Sequence, residues 1–108
     1  MMEKLEAKAK ELGELITHTE EYKAVKQKQA AMMEDEESMG LLMNFQKLQK
    51  ENYAKRQNNT LTEEDIKAVE QAELSMLEND KIRELHEAQT AFQSLLNAVM
   101  KEIVAASR

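Results

Sequence analysis

Apolar residues recur every three or four positions along almost the whole chain and never alternate over the length of a strand. Leu5, Ala9, Leu12 and Ile16 form the first stripe and predict a helix over about 2–16. Thr17-His18-Thr19 interrupts it, and Thr19 is placed to cap a second helix presenting Tyr22, Val25, Gln29 and Met32. The acidic run Glu34–Glu37 follows, with Asp35 as cap and acids facing the positive end of a third helix over about 36–57. Leu41, Leu42, Phe45 and Leu48 are its stripe, and Asn58-Asn59 supplies a left-handed stop. Thr62 then caps a fourth helix with Ile66, Val69, Ala72 and Met76 on its buried side. After Asn79-Asp80, a fifth helix over about 81–106 carries Ile82, Leu85, Gln89, Phe92, Leu96, Val99, Ile103 and Ala106, a 3-4 heptad stripe with one polar member.

The expected architecture is therefore all-α: a single domain over residues 1–108, with about five helices, short connections and antiparallel neighbours. Composition agrees. Pro and Cys are absent, only Gly13 and Gly40 interrupt the helix formers, and aromatics reach 4%. Without Cys there is no disulfide, thiolate metal centre or Cys nucleophile. No uncharged stretch is long enough for a membrane span, and the first residues lack the apolar core of a signal peptide, so a cytoplasmic location is expected.

The predicted lengths do not match. The third and fifth helices would run about 33 and 40 Å, and the other three only about 20–22 Å. Short helices cannot cover the whole stripe of long ones, and each large apolar side chain left wet forgoes roughly 1.5–3 kcal/mol. The expectation is a homodimer, with Phe92, Leu96, Val99 and Ile103 on the surface shared with a second copy. Met32, Met33, Met39 and Met43 cluster around the second helix break, where flexible thioethers suit an adaptable partner surface. Gly40, beside them, would let another helix come close.

Catalytic chemistry finds no constellation. The two histidines, His18 and His86, have Leu15 and Arg83 three positions before them, so the Glu-x-x-His of di-iron bundles is missing. Phosphate loops, nucleophile elbows and zinc-helix motifs are missing as well. No cofactor or metal is expected, and neither is enzymatic activity. The net charge is −6, yet residues 1–56 hold ten of the 15 bases alongside eleven acids. Lys23, Lys26, Lys47 and Lys50 therefore form the alternative reading, a weak nucleic-acid patch.

Three segments carry a family resemblance: Glu21-Tyr22-Lys23-Ala24-Val25-Lys26, Glu34-Asp35-Glu36-Glu37 and Asn44-Phe45-Gln46-Lys47-Leu48-Gln49. Leu61-Thr62-Glu63-Glu64 and Asn79-Asp80-Lys81-Ile82-Arg83-Glu84-Leu85, running on to Phe92-Gln93-Ser94-Leu95-Leu96, extend it. Over roughly residues 20–104 the chain resembles the YlbF/YmcA family of small bacterial helical proteins. The resemblance implies an all-helical, self-associating, non-enzymatic protein in the cytoplasm of a Gram-positive-type bacterium, while the surplus apolar stripe and the methionines lead to the expectation that another protein is its partner. The better-known members act as a complex that assists an endoribonuclease in RNA maturation and influences competence, biofilm formation and sporulation. Those members carry cysteines linked to an iron–sulfur cluster. With no cysteine here, the cluster is not carried over, and the cysteine-free YheA-like branch is the closer comparison.

Overall fold

Five helices account for nearly all of the computed structural model, which describes residues 1–108. They are α1 (Met2–Ile16), α2 (Glu20–Met33), α3 (Glu36–Gln57), α4 (Glu63–Glu78) and α5 (Asp80–Ala106). Their ends are fixed by local side-chain chemistry. Thr19 accepts from the Tyr22 N–H, Asp35 from Ser38 and Asn79 from Ile82, each satisfying a backbone donor that the helix itself leaves free. Thr62 and Asp65 form a reciprocal capping box at the start of α4. At the end of α3, Asn59 takes a φ of 58°, and the N–H groups of Asn59 and Thr60 donate back to the carbonyls of Arg56 and Lys55. This is a Schellman stop built on Asn in place of Gly.

The helices pair as two arms. In the first, α2 runs antiparallel to α5, with Lys28 beside Glu84 and Tyr22 against Phe92. In the second, α3 runs antiparallel to α4: Ser38 meets Asn79 at one end, and Asn52 and Lys55 meet Asp65 at the other. The α2–α3 and α4–α5 connections meet at one node, from which the arms diverge. Antiparallel packing thus joins α2 to α5 and α3 to α4, whereas the consecutive pairs α2–α3 and α4–α5 touch less. α1 precedes the first arm and packs substantially on no other helix.

This layout leaves little interior. Met32, Ala72 and Leu85 are the buried apolar residues, and Ser38 is the one buried polar residue. The radius of gyration is 19.2 Å, whereas a compact chain of this length would have about 13 Å. The accessible surface is 8719 Å², whereas a compact monomer of 12.4 kDa exposes about 6,100 Å². The surplus is on the order of 2,600 Å² per chain.

Candidate interaction surfaces

The first exposed apolar region lies where α5 outruns α2. Phe92 packs edge-on against Tyr22, with ring centroids 5.9 Å apart, two residues from the start of α2. From there α5 continues for about 21 Å to Ala106. Leu95, Leu96 and Val99 are half-buried, and Met100, Ile103 and Val104 are exposed, Ile103 to 49%. α1 is amphipathic too: Leu5 and Ala9 are exposed, and Leu12 and Ile16 half-buried. Two apolar stripes thus stand open, one on α1 and one on the end of α5.

The register of the first arm differs in one place from the heptad reading. Gln89 is exposed and Ala88 is half-buried in its stead. α2 approaches α5 from one side of the stripe, so a small side chain fills the close contact and the amide stays wet. Gln29 on α2 is likewise exposed, while Lys28 is half-buried. Lys28 reaches Glu84 at 3.8 Å, a surface pair worth at most about 1 kcal/mol.

The methionines separate. Met32 is only 7% exposed and belongs to the core, because it sits on the face of α2 that meets α5 near the node. It is therefore no part of a free partner surface. Met39 is half-buried, while Met33 and Met43 are exposed. Around Gly40, an added Cβ would meet nothing within 4 Å, so no helix of the chain makes the close approach expected there.

The basic residues separate as well. Lys23 and Lys26 lie on α2, and Lys26 Nζ sits 5.5 Å from the centre of the Tyr22 ring. Lys47 and Lys50 lie on α3, in the other arm, with Lys47 4.0 Å from Glu51. The fold does not gather these four into one patch. In the acidic run, Asp35 is engaged as a cap, and Ser38 holds its carboxyl below the ordinary carboxylate range by side-chain and then backbone hydrogen bonds. His18 and His86 are both exposed.

The strongest electrostatic feature is at the tip of the second arm. Lys55 Nζ donates to Asp65 Oδ1 at 2.7 Å, and the Thr62 N–H donates to Asp65 Oδ2 at 3.0 Å. Together with the Thr62 hydroxyl, in that order of strength, they hold the Asp65 carboxyl down at about 2, and the hydrogen bond to Asp65 in turn raises the Lys55 ammonium. Beside this clasp an open groove of about 300 Å³ runs between α3 and α4, lined among others by Tyr53, Arg56, Ile66 and Glu70. Ile66, expected on the buried side of α4, is one of the exposed residues there. It stands about 60° further round the helix than Val69 toward solvent, so only Val69, Ala72 and Met76 serve the interior. Spacing along α4 points to one apolar face, and the structure shows a second. Its signal was already present in Leu74 and Leu77, both about half exposed.

No helix is long and apolar enough to cross a membrane. The fold matches the crystal structure of Bacillus subtilis RicA in complex with RicF with a TM-score of 0.86, over 96% of this chain and 93% of that one, at 22% identity. In sequence the chain is 31% identical over 94 residues to a UPF0342 protein of Lactobacillus helveticus (strain DPC 4571), covering 86% of this chain and 81% of that protein. Residues 5–106 match the family described as control of competence regulator ComK, YlbF/YmcA. With nearly its whole length matched, the chain belongs to the YlbF/YmcA family.

Proposed function

We propose that this protein is a non-enzymatic helical interaction module that works as a homodimer and regulates by holding other proteins. One observation carries the reading: about 2,600 Å² more surface is exposed than a compact chain of 12.4 kDa would show. A standard protein–protein interface takes about 800 Å² from each partner, and obligate dimers take about 1,000–2,500 Å². The surplus is of that order, and its apolar part on α1 and the end of α5 fits a second copy of the chain. Two-fold pairing would lay Leu5, Leu12, Leu96, Val99 and Ile103 against their counterparts without creating an open-ended assembly. RicA, the similar fold, is held in a complex with another protein, and the family description names control of a regulator. Both support a regulatory role through protein contacts, in bacterial RNA processing or developmental control as the resemblance implies.

Sedimentation equilibrium at micromolar concentration tests the reading. The expected mass is twice that of the chain, falling to the single-chain mass in Ile103→Asp with helicity retained. A well-folded wild-type particle of single-chain mass would remove the physical basis for the dimer.

A further inference from the structure

We propose that the outer face of α4, with the groove it shares with α3, docks a basic amphipathic helix of a partner protein. The proposal rests on the reading of the chain as an interaction module and adds a second surface, on elements other than α1 and α5. Glu63, Ile66, Glu70, Glu73 and Leu77 follow one another at 3-4-3-4 spacing and form one line along α4. Leu74 lies beside them, and all six are exposed.

None of the three glutamates in this line is paired with a base of the chain. The contrast with Asp65, clasped by Lys55 at 2.7 Å, is local and sharp. Lys67 is the only base on α4; it borders the line two turns before Leu74, and Arg56 stands at the α3 rim of the groove. The surface thus combines an apolar track with unpaired negative charge. It suits apolar anchors flanked by lysine or arginine.

Length narrows the partner further. Ile66 and Leu77 are eleven positions apart, about 16 Å along the axis. A partner helix matching both needs at least three turns, with anchors at i, i+4, i+7 and i+11. The groove beside Tyr53 and Ile66, at about 300 Å³, accepts one large side chain, and bases opposite Glu70 and Glu73 set the register.

A labelled helical peptide of leucine and lysine, about five turns (~18 residues) long with leucines at that spacing, is the probe. Its leucine–glutamate counterpart is the comparison, and fluorescence anisotropy with the full chain is the measurement. The lysine peptide should bind at least about tenfold more tightly than the glutamate peptide. Ile66→Ser/Leu77→Ser should weaken it about tenfold, and Glu70→Lys/Glu73→Lys should abolish the preference for lysine. Glu14→Lys/Glu87→Lys removes the same charge from other helices and should leave the affinity within about twofold. Equal loss in that control, or no loss in the α4 variants, overturns the proposal. So does a drop in sedimenting mass in Ile66→Ser/Leu77→Ser, because the face would then serve self-association. A wild-type particle of single-chain mass, by contrast, would count against the dimer alone.

Discussion

Ser38 Oγ lies 2.9 Å from Asn79 Oδ1, 41 positions along the chain, and so joins Asp35, the cap of α3, to Asn79, the cap of α5. The Ser38 side chain is fully enclosed, and its single proton is shared between Asn79 and Asp35 Oδ2, 2.5 Å away. Both acceptors already hold a helix N-terminus, through the N–H groups of Ser38 and Ile82. Ser38→Ala would leave two oxygens facing each other in a closed space. The expected loss is about 1–3 kcal/mol in urea unfolding, with faster amide exchange at Ile82. A change within about 0.5 kcal/mol would show that the node does not tie the arms.

The Asp65 clasp predicts a pH dependence. Its folded carboxyl titrates near 2 in place of the usual 3.8, so the folded chain holds the charged form more strongly than the unfolded one does. The stability it contributes is present above about pH 4 and is lost as pH falls toward 2. Asp65→Asn should therefore lower the thermal midpoint at pH 7, with the gap from wild type narrowing between pH 4 and pH 2. A gap that stays constant across that window would contradict the assignment.

Gly40 sits within α3 at negative φ, with open space where a Cβ would go. Gly40→Ala should raise stability by about 0.5–1 kcal/mol, because glycine loses more backbone freedom on entering a helix. Its sedimenting mass should equal that of wild type. A fall in mass would place a second copy against Gly40.

The division of the lysines between the arms predicts weak behaviour toward nucleic acid. Anisotropy with labelled single-stranded RNA should show no tight association at about 50 mM salt, and no steep salt dependence. Lys23→Glu/Lys47→Glu should change little. Strong binding that falls steeply with salt and is lost in this variant would revive the nucleic-acid reading.

Much of the fold is legible locally, since Thr19, Asp35, Asn59 and Thr62 act within a few residues of where they stand. Such chemistry can be read from spacing alone. The node is not legible in this way, because Ser38 gains its meaning only when Asn79 is brought beside it. Periodicity also overstates what each stripe does. Gln89 falls on the heptad of α5 but not on the side from which α2 arrives, and Ile66 continues the α4 pattern out into solvent. Pairing direction decides these cases, and one chain's spacing does not encode it. Met32 shows the converse, since proximity in sequence to Met33 placed it in a surface cluster that the arm contact divides.

Asn79 alone separates α4 from α5, closing one helix and opening the next. A joint of one residue has no slack. A residue inserted there would redirect α5 and carry its greasy edge out of register with α2. The α3–α4 turn, five residues long at 58–62, has more slack at Leu61, which lies between the Schellman stop and the capping box. Length variation in this molecule is therefore tolerable at the tip and ruinous at the elbow, which makes the angle between the arms a heritable, sharply defined quantity.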